Sequence, residues 1–274
     1  MYFMRVYFAG DYVLVKKHTP RGRFPLKKRL KRMKETPEAV KRYNNKRRAE
    51  KIQLLILCNF DKGYHITLDY PKGEKPETYE QAEKNLTDFL HKTSRRLKKK
   101  GKQFKYIAVT ERGKKAAALH HHMVIENDSD VLAEVLAVWG QYMHISTMYE
   151  EGQYKELAEY LVKVETKEEL TKGRSKYHRS RNLIKPLEKS ALIDRPLTDD
   201  PRIPKGYTLI ESSLVNGFNE FIGVKHQKFM LKKIPDPEIP KMSENVRDCP
   251  RRPEVYKKGN IFTRLKRKLF GRKT

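Results

Sequence analysis

Cysteine and long apolar runs are both scarce in this chain. The two cysteines, Cys58 and Cys249, lie far apart and form no CxxC pair, which argues against a disulfide scaffold and against a cysteine-based zinc site. No segment approaches the roughly 18 uninterrupted apolar residues of a membrane span. The first residues, Met1 to Leu14, also lack the basic-then-apolar order of a secretory signal. We therefore expect a cytoplasmic protein without a membrane partner.

Acidic residues are few for the number of basic ones. The 274 residues include 61 Lys and Arg against 34 Asp and Glu, which gives a formal net charge of +27. This balance predicts an anionic polymer as partner, and nucleic acid is the leading candidate. Charge alone is also compatible with an anionic membrane surface or ribosomal RNA. A GxxxxGK[ST] nucleotide loop is absent from the sequence, so we expect no fused helicase motor.

The middle of the chain carries a regular succession of strand and helix patterns. Tyr64 to Tyr70 alternates apolar and polar side chains, as a strand does. A helix predicted over 77–100 ends at the helix-stopping Gly101. The further predicted elements are strands at 104–110, 118–126 and 141–149 and helices at 130–139 and 154–165. This order predicts an α+β fold with a ferredoxin-like (RRM-like) antiparallel sheet and packed helices.

The flanking sequence predicts additions to this core. The predicted regions are a basic N-terminal arm (1–50), a central domain (51–200) and a C-terminal extension (201–274). The arm is expected to face DNA because it is densely basic from Lys16 to Lys51. Strand-like runs at 206–214 and 221–231 predict a hairpin in the extension, which ends in a short basic amphipathic segment at 261–270.

Three consecutive histidines stand in the third predicted strand of the core. Because residues two apart on a strand share a face, His120 and His122 can converge on one ion, while His121 points away and is expected to pack. An isolated pair of this kind is more often a partly buried polar patch. Glu111, however, ends the preceding strand, and hairpin pairing would bring its carboxylate opposite the histidines.

This predicted cluster has the composition of a divalent-metal site. Two imidazoles and one carboxylate with open positions suit Mn²⁺ or Mg²⁺ better than a closed structural zinc site. Such an ion can polarise a phosphate and stabilise the charge that builds on it.

The last predicted core helix carries Tyr160 and Lys163. A spacing of three places the phenol and the ammonium on neighbouring positions of one helix face. Because a free tyrosine has a pKa of about 10, a nucleophilic phenol needs a polarised target, a cation or a base to react at neutral pH. Lys163 is a candidate for that cation, although a packed tyrosine and a solvated lysine are the common outcome for such a pair taken alone.

Taken together and in order, these motifs resemble those of HUH endonucleases. The strand at Tyr64 to Tyr70, Glu111 with the histidine strand, and Tyr160-Leu161-Val162-Lys163 look most like the rolling-circle replication initiators of plasmids and single-stranded DNA phages. The resemblance implies metal binding by Glu111, His120 and His122, with Tyr160 as nucleophile and Lys163 as its helper. The middle histidine departs from the family pattern, where a bulky hydrophobe is usual, so a metal pair that includes His121 is the alternative.

The same resemblance implies an activity and its partners. The tyrosine would nick one DNA strand at an origin, remain on the 5′-phosphate and leave a 3′-OH for synthesis. Single-stranded and origin DNA, a host helicase and a DNA polymerase are the expected partners. The basic side chains expected to contact DNA are Lys114, Lys115, Arg179 and Arg181.

Other functions remain compatible with the sequence. A relaxase or a Y1-type transposase would use the same chemistry, although the basic arms and the long region after Tyr160 favour an initiator. A non-catalytic nucleic-acid-binding module would keep the charge and use the histidines structurally. A histidine-triad nucleotide hydrolase is disfavoured because its motif alternates histidines with hydrophobes, whereas His120, His121 and His122 are contiguous.

Overall fold

The structure is a computed structural model, and it describes residues 1–19, 37–60, 62–113, 118–148, 151–163, 177–219 and 224–235. The strands are β1 (Tyr2–Ala9), β2 (Tyr12–His18), β3 (Tyr64–Leu68), β4 (Tyr106–Arg112), β5 (Leu119–Ile125), β6 (Met143–Thr147), β7 (His178–Arg179), β8 (Leu187–Ile193), β9 (Tyr207–Asn219) and β10 (Val224–Lys233). The helices are α1 (Pro37–Asn59), α2 (Tyr79–Lys99), α3 (Ser129–Trp139) and α4 (Lys155–Lys163), the last preceded by a 3-10 turn at Glu151–Tyr154. The predicted α+β class is confirmed. None of the described helices is long and apolar enough to cross a membrane.

Contacts divide the chain into two compact units, one of residues 26–186 and one that joins residues 1–25 to 187–274. In the first unit the five-stranded sheet runs in the order β6-β3-β5-β4-β7, and neighbouring strands are antiparallel. The succession β3, α2, β4, β5, α3, β6, α4 is the one that the sequence predicted. The ferredoxin-like assignment itself stays a prediction.

One face of this sheet is apolar and carries two helices. Ile66 and Leu68 of β3 and Met123 of β5 are fully buried against the apolar sides of α2 and α3. Helix α2 begins with a capping box, in which Thr78 accepts from the Gln81 amide and the Gln81 side chain accepts in return. Because strand side chains alternate, the residues between these apolar positions project from the opposite face, which leaves that face available for polar groups.

The second unit is built on another five-stranded sheet, in the order β8-β1-β2-β10-β9. Strands β1 and β2 form a tight hairpin through Gly10, whose φ of 57° suits glycine. Its core includes Met4 and Val6 of β1 together with Phe229 and Leu231 of β10. The predicted hairpin of the C-terminal extension is present as the antiparallel pair β9 and β10.

The structure divides the first fifty residues differently from the predicted N-terminal arm. Strands β1 and β2 are inner strands of the second sheet, because their alternating apolar side chains need a partner face that the C-terminal strands supply. Helix α1 falls in the other unit, where Ile52, Leu55 and Ile56 are buried. The second unit resumes at Leu187, ahead of the predicted boundary at 200. The predicted amphipathic segment at 261–270 lies outside the described residues.

Candidate metal centre and active site

Three ligand groups meet on the polar face of the first sheet. Strands β4 and β5 pair so that Glu111 faces His120 directly, and His122 follows two residues on along the same face. His122 Nε2 lies 2.9 Å from Glu111 Oε2 and 3.1 Å from His120 Nε2, and His120 Nε2 lies 3.6 Å from Glu111 Oε2. Ligand atoms that share a cation at about 2.1 Å lie roughly 3 Å apart. The donor set and its spacing therefore fit a divalent cation.

The outer nitrogens of both imidazoles have partners that orient the rings. His120 Nδ1 donates to the Ala118 carbonyl over 3.3 Å, which leaves Nε2 with its lone pair. His122 Nδ1 lies 3.2 Å from Thr67 Oγ1, and in the tautomer that donates to this hydroxyl the Nε2 lone pair is free as well. Such outer contacts fix ring orientation and tautomer in metal sites. Both rings therefore present the same kind of atom to the space beside Glu111.

The cluster is electrostatically suited to a cation. Burial alone would raise the pKa of Glu111, but hydrogen bonds from His120 and His122 outweigh it and lower that pKa to about 2. The carboxylate is therefore ionised at any ordinary pH. In turn its hydrogen bond raises the pKa of His120 above the usual value. A proton on His120 thus occupies the place of positive charge that a cation would take, and metal binding would release it.

Tyr160 reaches this cluster from α4. Its hydroxyl donates to Glu111 Oε2 over 3.1 Å and lies 2.9 Å from His122 Nε2. The side chain is 40% exposed, so one side of it remains open to solvent. Burial, followed by the charge of Glu111, raises the pKa of Tyr160 to about 12. Without a compensating positive charge the phenol is therefore protonated at neutral pH.

The middle histidine lies on the opposite face of the sheet. His121 is fully buried, with its Nε2 2.6 Å from the Tyr70 hydroxyl and its Nδ1 3.0 Å from Thr110 Oγ1. Burial lowers its pKa to about 3, so the ring is neutral. The ring also makes an edge contact with Trp139. His121 is thus a hydrogen-bonded core residue, and the structure groups His120, not His121, with Glu111 and His122.

The remaining predicted site residues are placed only in part. Lys163 is the last residue of α4, and its side chain lies outside the described part of the chain, as do Lys114 and Lys115. Arg179 lies on β7, which pairs with the edge of β4, and Arg181 follows it; both side chains are exposed. The roles of all five stay predictions.

Two residues of β3 belong to the site although the sequence alone did not single them out. Thr67 faces His122 across the sheet and contacts its ring nitrogen. His65 lies two residues earlier on the same face, and its ring stacks on that of His122 at 5.4 Å and meets Tyr160 edge-on at 6.3 Å. Its Nε2 is buried without a hydrogen-bond partner among the described residues. The alternation of β3 was the signal that could have found both.

A comparison with protein families agrees with this arrangement. Residues 63–169 match the family model for the replication-associated protein ORF2. This range runs from the residue before β3 to beyond α4, and so includes the ligand cluster and Tyr160. No curated protein and no solved structure matches the chain. Over residues 63–169 the chain therefore belongs to this replication-associated protein family, a family of rolling-circle replication initiators of the HUH endonuclease type.

Proposed function

We propose that this protein initiates rolling-circle replication by nicking one strand of origin DNA with Tyr160 as the nucleophile. The observation that carries the proposal is the position of the Tyr160 hydroxyl, within 3.1 Å of both Glu111 Oε2 and His122 Nε2. A phenol beside two imidazoles and a carboxylate, on a strongly basic chain, is suited to reaction with a phosphodiester. The family match supports the role in replication.

Glu111, His120 and His122 are the residues that would hold a divalent cation, and Mn²⁺ or Mg²⁺ suits their nitrogen and oxygen donors. When bound, such a cation supplies Lewis-acid polarisation of a phosphate and stabilises the charge that develops on it. The protein side chains then have a positioning task. Thr67 and the Ala118 carbonyl orient the two rings, and the charge of Glu111 keeps the ligand set anionic.

The proposed reaction is a transesterification. The Tyr160 oxygen forms a bond to phosphorus as the bond between phosphorus and the 3′ oxygen breaks, the phenol gives up its proton, and the leaving oxygen takes one up. The products are a 5′-phosphotyrosine and a free 3′-OH that primes synthesis. One phosphodiester replaces another, so rejoining is the same step reversed and nucleotide hydrolysis is not required. Lys163, three residues after Tyr160, is proposed to assist through its charge.

The DNA would be held largely through its phosphates. Arg179 and Arg181 present exposed guanidinium groups near the edge of β4, and Lys114 and Lys115 belong to the connection between β4 and β5. Contacts of this kind position the strand without reading its sequence. A host helicase and a DNA polymerase are the proposed partners for unwinding and for extension of the 3′-OH.

The test is formation of a covalent adduct. The full chain is incubated with single-stranded DNA from the replicon that encodes it, labelled at its 3′ end, with Mn²⁺ or Mg²⁺ or with EDTA. We expect an SDS-resistant adduct that requires metal and maps to Tyr160. Tyr160→Phe should abolish the adduct while DNA binding remains, and Tyr142→Phe, at another exposed tyrosine of the same unit, should retain it.

The result also separates the alternatives. No adduct on any strand of the replicon, with DNA binding intact, would overturn the proposal in favour of a non-catalytic binding module. An adduct confined to a transfer origin or to a transposon end would assign the same chemistry to a relaxase or a Y1-type transposase.

A further inference from the structure

We propose that the second sheet binds single-stranded DNA by stacking bases on a row of three rings. This ring row consists of Phe3 on β1, His18 on β2 and His226 on β10. His18 is the register partner of both Phe3 and His226, so the three side chains project side by side from one face of three adjacent strands. Phe3 is 42% exposed and His226 is exposed, while His18 is half-buried between them.

The rings lie in an arrangement that presents their faces. Phe3 and His18 are stacked, with ring centroids 5.4 Å apart and planes 26° apart. At the other end of the row, a Cβ added to Gly217 of β9 would lie 2.5 Å from Cε1 of His226. The His226 ring therefore lies over the backbone of β9, in space that only a glycine at position 217 leaves open. Burial, followed by the charge of Arg5, lowers the pKa of His18, which keeps that ring neutral at neutral pH.

A row of cations runs beside the rings on the same face. This cation row consists of Arg5, Lys16 and Lys228, which pair with one another in register and follow or precede the rings by two residues. Two residues along a strand span roughly 7 Å, so phosphates of a strand whose bases stack on the rings lie within reach of these side chains. The next row contributes one carboxylate, Glu188, which accepts from the Tyr7 hydroxyl.

These features favour an unpaired strand as the occupant. Aromatic faces stack on exposed bases of any identity, whereas the bases of a duplex are already stacked and paired. Three cations against one carboxylate match a polyanion, and an aliphatic or acidic partner would leave that charge uncompensated. The surface belongs to the unit of residues 1–25 and 187–274, not to that of the Tyr160 cluster, so binding here does not depend on the proposed nicking reaction.

The test compares strands that differ only in their bases. Affinity of the full chain is measured in EDTA, which prevents the metal-dependent reaction, for oligothymidylate, for an abasic strand of equal length and for a blunt duplex. The wild-type protein should prefer oligothymidylate over the abasic strand. Phe3→Ala and His226→Ala should each lose fivefold or more in affinity for oligothymidylate, in line with roughly 1–3 kcal/mol per stacked base, and bind the abasic strand as before. Phe218→Ala, at an aromatic residue that is 62% exposed outside the ring row, is the matched control and should change neither affinity.

The cation row has a separate readout. Arg5→Gln should lower the affinity for oligothymidylate and for the abasic strand alike, and reduce the slope of log affinity against log salt by about 0.7. Unchanged oligothymidylate affinity in both Phe3→Ala and His226→Ala, with wild-type thermal unfolding, would overturn the proposal. A wild-type preference for the duplex would also overturn it. Tyr160→Phe should bind oligothymidylate as the wild type does, so failure of the nicking assay leaves this result unaffected.

Discussion

Removing the Tyr160 hydroxyl should strengthen metal binding while abolishing the adduct. The hydroxyl lies 2.9 Å from His122 Nε2 and 3.1 Å from Glu111 Oε2, and both atoms belong to the proposed ligand set. A nitrogen lone pair cannot serve a hydrogen bond and a cation together. A cation that binds His122 must therefore displace the hydroxyl. Tyr160→Phe removes this competitor and keeps the ring that packs on His122.

The size of the effect follows from the contact that is lost. One hydrogen bond contributes a net ~0.5–1.5 kcal/mol, so Tyr160→Phe should bind Mn²⁺ roughly two- to tenfold more tightly than the wild type. Isothermal titration calorimetry in the absence of DNA measures this directly. Tyr142→Phe should match the wild type, and His122→Ala should lose binding. If Tyr160→Phe instead bound Mn²⁺ tenfold more weakly, Tyr160 would be a metal ligand, and its assignment as a free nucleophile would be refuted.

Three further predictions test the surroundings of the site and the second unit. Thr67→Val should weaken Mn²⁺ binding by roughly 10- to 100-fold, because it removes the partner of His122 Nδ1; Thr93→Val, at a buried threonine whose hydroxyl has no hydrogen-bond partner among the described residues, should leave calorimetric affinity unchanged. His121→Leu should retain Mn²⁺ binding but lower the free energy of unfolding by about 1–3 kcal/mol, since it strands the Tyr70 and Thr110 hydroxyls; lost Mn²⁺ binding with unchanged denaturant stability would contradict the core role. Lys17 has a folded-state pKa of about 8, lowered from 10.5 by burial and then by Arg202, so the unfolded chain holds its proton more tightly and stability should rise with pH between these values. Relative to Lys17→Met, the wild-type free energy of unfolding should gain up to about 3 kcal/mol across that range; a flat difference in denaturant titrations at several pH values would contradict this.

The elements of the first unit were predictable because their signals are local. Apolar side chains at helical spacing in α2 and strict alternation in β3 each bury one face within a single element, and the pattern is legible without knowledge of partners. The pairing of β4 with β5 was predictable for a related reason. The two strands are joined by a short connection, so hairpin pairing was the nearest available arrangement and it places Glu111 opposite His120.

The second unit was not predictable in the same way. Strand β2 pairs with β10, so Val15 faces Phe229 from more than two hundred residues away. The basic side chains around β2 indicated an exposed arm, because charge is visible in the sequence and a distant partner strand is not. Lys17 illustrates the point, since this lysine is only 5% exposed and donates to Gln227 across the sheet.

The sequence by itself determined which residues are chemically equipped for the site. Alternation along β5 places His120 and His122 on one face and His121 on the other, because strand geometry has a period of two. Only the tertiary structure decided what surrounds them. It brought Thr67 and His65 from β3 beside His122, placed the Tyr160 hydroxyl from α4 on the ligand atoms, and joined the two ends of the chain into one sheet. These contacts join elements far apart in the chain, and such pairings are set by the burial of whole faces rather than by any local pattern.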